Sequence, residues 1–200
     1  MNHRFPWASF ERFAHLVYKN LVYKRRFASF GQNSFVSPFS EIVNMEHVVI
    51  EENVKILYGA WIMAIKTANG QTFSPQITIG ANSYIGHHVT LSCVNRIKIG
   101  RDVTFGDNVY VADNEHSYGD IAVNVMKQPL VIGEVSIGDN AWIGKNCVIF
   151  GKAAIGNNVI IGANSVVSRD VPPYTIVAGS PARIIKTYDH DSGKWLVNKQ

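Results

Sequence analysis

The sequence predicts an all-β solenoid of stacked six-residue units, and three observations predict it. An aliphatic residue returns at every sixth position in an unbroken series, Val131, Ile137, Ile143, Ile149, Ile155, Ile161 and Val167. Glycine follows it at Gly138, Gly144, Gly156 and Gly162, opening the turns "GDN", "GNN" and "GAN". Four places after each aliphatic residue the side chain is small or β-branched: Val135, Ala141, Cys147, Ala153, Val159, Ser165 and Val171. Such a period fits neither a helix at about 3.6 residues per turn nor a two-sided sheet at about 2. It does fit a short strand followed by a tight turn, because Gly, Asn and Asp supply the unusual backbone angles of the turn. Stacking the units buries a column of Ile and Val.

Composition agrees with one folded domain. The chain has 200 residues, of which 46% are hydrophobic and 17% charged, which excludes disorder. No apolar run is long enough to span a membrane, and "MNHRFPWASFERFAHLVYK" scatters charges where a signal peptide needs an apolar stretch. Cys93 and Cys147 have no C-x-x-C spacing, so neither a disulfide framework nor a zinc site is supported, and a cytoplasmic setting is expected. Net charge is +4, and "YKNLVYKRRF" (18–27) gathers four of the basic residues. That cluster reads as a solvated helix face, since no nucleic-acid-binding signature accompanies it.

Along the chain, residues 7–27 are expected to be helical, because Phe10, Phe13, Val17 and Leu21 recur at spacings of three and four. The stripe is a packing surface or, with Trp7, Tyr18, Tyr23 and the basic cluster, a contact with a membrane surface. Coils are expected from about residue 30, at Phe30, Val36 and Ile42, then Ile50, Ile56 and Ile62. "KTANGQTFSPQ" (66–76) breaks the period as a loop with Asn69-Gly70 as its turn. Ile79, Ile85, Leu91 and Ile97 resume the series, and a two-residue phase shift leads to Ile99, Phe105 and Val111. A second interruption covers roughly 113–130. Pro172-Pro173 ends the repeat, and Pro181 is expected to introduce a short C-terminal helix. The division that follows is 1–29 (helical segment), 30–171 (coils) and 172–200 (basic tail).

Over about residues 77–187 the chain resembles the hexapeptide-repeat acyltransferases, in their sugar O-acetyltransferase branch. Trp-Ile-Gly (142–144), Ile-Gly-Ala (161–163), Val-Pro-Pro (171–173) and Gly-Ser-Pro-Ala-Arg (179–183) are similar in order and spacing to the C-terminal half of the maltose, galactoside and capsular-sugar enzymes. The resemblance implies a left-handed parallel β-helix. The handedness comes from it alone, because parallel crossovers are otherwise right-handed. It also implies an acetyl-coenzyme A-dependent transfer to a hydroxyl of a sugar or polysaccharide precursor, in a homotrimer whose donor groove lies between subunits.

Transfer from a thioester needs a base for the attacking hydroxyl and donors for the oxyanion. The resemblance makes His116 the base, in the break between Val111 and Val131. The family's common Asp-His-Asn-His reads here Asp113-Asn114-Glu115-His116, so the group orienting the imidazole stays open among Asp113, Glu115 and a backbone carbonyl. His87 and His88, in one turn, are an exposed corner or acceptor-side residues. The matching donor positions are Trp142, Lys145, Ala163, Ser168, Arg169, Arg183 and Lys186, the cations meeting phosphates. No metal is expected. A γ-class carbonic anhydrase needs a second histidine near His116, where positions 111 and 121 are Val and Ile. Cys147 falls at an inward position and reads as core, which favours direct attack over an acyl-enzyme. Another acceptor (an amino sugar, an antibiotic or serine) and a non-catalytic scaffold are the alternatives.

Overall fold

The computed structural model describes residues 22–198 and, before them, Phe10, Phe13, Ala14 and Val17. Of the helix expected over 7–27 it shows the turn Lys24–Arg26, and most of that span lies outside the described residues. Among the described residues no helix is long and apolar enough to cross a membrane.

Three parallel sheets carry the chain, which visits them in rotation. The first face holds Gln76–Ile79, Arg96–Ile99, Glu134–Ile137 and Lys152–Ile155 among its strands. The second holds Tyr84–Ile85, Thr104–Phe105, Trp142–Ile143 and Ile160–Ile161, and the third Trp61–Ala64, Thr90–Cys93, Tyr110–Ala112 and Val148–Phe150. Pairing explains the period. Ile137 lies against Ile155, Ile143 against Ile161 and Ile149 against Val167, so three six-residue units make one turn. Earlier, Ile79 pairs with Ile99, Ile85 with Phe105 and Leu91 with Val111. The two-residue phase shift is therefore the wider corner at Val94-Asn95, after which Ile97 and Ile99 both face inward.

The interior is the aliphatic column that the repeat requires. Ile56, Ile62, Ile85, Leu91, Ile143 and Ile149 are fully buried, each contributing about 1.5–3 kcal/mol of transfer free energy. Corners are turned by left-handed residues: Asn82, Asp102, Asn140 and Asn158 at one, His88, Asn108, Asn146 and Asn164 at the next. Asparagine tolerates this conformation and adds a side-chain ladder, Asn108 Nδ2 to Asn146 Oδ1 at 3.1 Å and Asn146 Nδ2 to Asn164 Oδ1 at 3.0 Å. At Gly80 the coils approach so closely that a Cβ would stand 2.3 Å from the Gly100 carbonyl oxygen.

Both interruptions leave the coil at the corner between the third and first faces. The first is a hairpin, Thr67–Ala68 against Gln71–Thr72, turning on Asn69 (φ 49°) and Gly70 (φ 75°). The second pairs Asn114–His116 with Leu130–Ile132, antiparallel. Phe73, Val94 and Leu130 join the two in a small second core, with Ile65 and Ala68 beside them.

The C-terminus departs from expectation. Parallel pairing continues past the two prolines, with Thr175–Ala178 laid on Ile160–Ile161. In place of a helix after Pro181, Arg183–Asp189 folds back antiparallel on Thr175–Ala178, and Lys194–Val197 pairs with it in turn. The physical reason is the open edge that the last coil presents. "RIIKTYD", rich in β-branched residues, covers that edge, and Gly179 at φ 102° allows the reversal.

Truncating the column tests its weight. Ile85→Ala should cost about 2–5 kcal/mol, read as a lower urea midpoint, whereas Lys98→Ala on the exposed first face should stay within about 0.5 kcal/mol.

Candidate active site

Asp113 anchors the second interruption. It is fully buried, yet its carboxylate is saturated by the preceding coil. Val94 N–H donates to Oδ1 at 2.8 Å, Asn95 N–H to Oδ2 at 2.8 Å and Cys93 Sγ to Oδ2 at 3.3 Å. Asn114 Nδ2 adds a bond at 3.1 Å. Bonds to an ionised acceptor are the strong ones, which is how a buried carboxylate is tolerated here. Its backbone carbonyl accepts from Gly133 N–H at 2.6 Å, tying the two ends of the excursion together. Asp113 is one of the three groups that the sequence leaves open for orienting His116. Its oxygens hold the backbone of the coil before, so it closes the base of the excursion.

His116 ends the strand Asn114–His116, opposite Leu130, and Ser117 N–H donates to the Pro129 carbonyl at 2.9 Å. The side chain is partly buried, and Nδ1 is enclosed without a hydrogen-bond partner among the described residues. A buried polar atom left so costs about 1–3 kcal/mol, and such atoms mark sites held for another purpose. Neighbouring residues of a strand face opposite ways, so Glu115 diverges from the imidazole. Its carboxylate lies over the next coil, 3.2 Å from where a Cβ on Gly151 would stand. Beyond His116 the loop is organised by Gln128, whose Nε2 donates to the carbonyls of Asp120 and Val123 at 2.8 and 2.9 Å.

His87 and His88 sit at a different corner, between the second and third faces. Asp107 Oδ1 accepts from His87 N–H at 3.0 Å and meets His87 Nδ1 at 3.1 Å, while Lys145 Nζ lies 3.8 Å from Oδ2. Those contacts hold the Asp107 carboxyl below its ordinary value, the backbone bond from His87 contributing most. His88 takes the left-handed place that Asn108 and Asn146 take above it, with its ring edge-on to Tyr58 at 5.4 Å. Neither is brought to His116 within one protomer.

The expected donor residues fall into two clefts. Trp142, Lys145 and Ala163 line one of about 510 Å³ on the second face, with Tyr84 and Asp107. Ser168, Arg169 and Arg183 line another of about 630 Å³ at the last coil, with Pro181 and Asn198. Lys186 continues the outward column Trp142, Ile160, Ile176 of the second face. His116 lines neither cleft. Among the described residues no three His, Cys, Asp or Glu side chains gather as a metal site requires.

Sequence reasoning read Asn69 only as a turn residue and did not single out Gln71; both reach the excursion from the first hairpin. The signal was available. Both breaks follow third-face strands, after Ala64 and Ala112, so counting units places them at one corner.

Residues 134–169, coils whose register is described above, match the family model "Bacterial transferase hexapeptide (six repeats)". Over these residues the chain carries the repeat of the bacterial hexapeptide transferases. This hexapeptide-repeat chain is 33% identical over 121 residues to WbbJ of Escherichia coli, named as a lipopolysaccharide biosynthesis O-acetyl transferase, covering 57% of this chain and 62% of that one. It is 34% identical over 133 residues to the galactoside O-acetyltransferase of Escherichia coli, covering 54% and 63%. The chain thus spans a little over three fifths of the length of these two relatives. In fold it is similar to AntD, an N-acyltransferase from Bacillus cereus solved with dTDP and 3-hydroxybutyryl-CoA. The TM-score is 0.72 at 22% identity, covering 87% of this chain and 90% of that one.

Two outcomes are expected. Asp113→Ala strands two backbone N–H groups and should cost about 2–5 kcal/mol, seen as a lower urea midpoint with faster amide exchange at Val94 and Asn95. Burial, joined at Cys93 by the nearby Asp113 charge, raises both thiols above their ordinary value. At pH 8 they stay neutral, and the thiolate is the reactive form. A disulfide reagent should therefore titrate no cysteine in the folded protein and both in urea.

Proposed function

We propose that the chain is an acetyl-coenzyme A-dependent O-acetyltransferase acting on a hydroxyl of a sugar or polysaccharide precursor. The observation that carries this reading is His116. It is a histidine with one ring nitrogen enclosed by the chain, held at the mouth of the excursion from a hexapeptide coil. With Nδ1 enclosed, Nε2 is the nitrogen that can meet an acceptor. It takes the hydroxyl proton as the oxygen attacks the thioester carbonyl carbon. The C–S bond then breaks, and the proton passes to the departing thiolate. Both buried cysteines are unsuited to a covalent intermediate, which favours direct attack.

Relatives named as O-acetyltransferases support the chemistry, and AntD, solved with an acyl-coenzyme A, supports the donor class. In this reading Trp142, Lys145 and Ala163 line the thioester arm, and Arg169, Arg183 and Lys186 meet the phosphates. His116 stands at the corner opposite the second face, so one protomer cannot bring it to its own Trp142 cleft. A homotrimer, with His116 of one copy facing the cleft of the next, resolves this. The coils (30–171) then form the catalytic body, the tail (172–200) the phosphate end, and the segment 1–29, with Phe10 and Phe13 exposed, a contact at the inner face of a membrane in the cytoplasm.

The likeness to AntD favours one second reading, an amino group as acceptor on the same fold. A panel of sugars and amino sugars, assayed by release of free thiol, separates the two. His116→Ala should lower transfer by about 10²–10⁴-fold while calorimetric coenzyme A binding persists. Full activity in that variant overturns the proposal, and absence of coenzyme A binding to the parent protein points to a scaffold.

A further inference from the structure

We propose that Gln71 is a positioning residue for His116, acting through the backbone of Leu130; the inference rests on His116 being the base. The two interruptions are separated by a whole coil and yet are bonded together. Gln71 Oε1 accepts from Leu130 N–H at 2.6 Å, and Gln71 Nε2 donates to the Leu130 carbonyl at 3.3 Å. One side chain thus engages both polar groups of one backbone residue. Asn69 Nδ2 adds a bond to the Gln128 carbonyl at 2.7 Å, and Phe73 packs on Leu130.

Leu130 is the cross-strand partner of His116. Its N–H and C=O are turned out toward Gln71, which makes His116 and Leu130 a non-hydrogen-bonded pair. In such pairs the Cα atoms lie about 4.5 Å apart and the side chains are closest. The imidazole therefore shares one side of the ribbon with the Leu130 side chain, which is anchored against Phe73 and Val94. Among the described residues no further strand lies beyond Leu130–Ile132, so without Gln71 its outer groups are an unpaired edge. The clamp replaces that missing strand at the residue nearest the imidazole.

The test compares Gln71→Leu, which keeps volume and removes both bonds, with Gln71→Glu, which keeps the acceptor for Leu130 N–H. Gln71→Leu should lower kcat about tenfold or more, the scale on which misplaced reacting groups act. KM for acetyl-coenzyme A should stay within about twofold, because the proposed donor clefts lie elsewhere. Gln71→Glu should retain most of kcat. Hydrogen exchange should quicken in 114–132 and not in the coils. Unchanged kcat in Gln71→Leu, with or without faster exchange, overturns the inference. So does faster exchange throughout the coils, which marks general unfolding. If His116→Ala is fully active, the base assignment falls and takes the catalytic half with it. The exchange measurement still decides whether Gln71 holds the excursion.

Discussion

Everything in this molecule depends on parallel backbone pairing between successive coils. A strand that must lie in register on the strand a full turn earlier leaves no freedom in chain length along a face. The spacing from Ile137 to Ile155 repeats at Ile143–Ile161 and Ile149–Val167 because each coil copies the one before. Extra residues have one kind of place to go, the corners, where pairing is absent. In this chain both insertions use the same corner, and the inward column runs past them undisturbed, from Ile62 through Leu91 and Val111 to Ile149.

That constraint also decided what the sequence made legible. The strands, the inward column and the asparagine corners follow from local pattern, because each unit solves the same local problem. The wider corner at Val94-Asn95 was visible as a phase shift, and the Asn69-Gly70 turn by its residues alone. The last hairpin was not. "RIIKTYD" is a strand because an edge is waiting for it, and an edge is a property of the assembled coil. The hold of Asp113 on the previous coil was hidden for a related reason. Its partners are backbone amides of the previous coil, and no residue type advertises a backbone N–H. His87 likewise reads, with His88, as an exposed corner or an acceptor-side residue until Asp107 is stacked above it.

The proposed site divides along the same geometry. His116, Leu130 and the two hairpins stand at one edge of the prism, and Trp142, Lys145 and Ala163 on the face across from it. First-face exteriors carry Arg96, Lys98, Glu134 and Lys152, while the second and third present Tyr84, Trp142, Trp61 and Tyr110. An apolar exterior on two sides of a prism suits contact with further copies, which is the arrangement that the proposed trimer requires.

The second face also works as a ruler. Its outward column, Tyr84, Thr104, Trp142, Ile160, Ile176 and Lys186, advances one strand at a time, at about 4.8 Å per step. An extended ligand lying along it meets a side chain at each graduation, and the chain can change the reach between its aromatic mark and its cationic mark only in whole steps. Lengthening that reach means adding a coil, and shortening it means deleting one. If the proposed donor lies along this face, selection on its size acts on the number of repeats as well as on the residues that touch it.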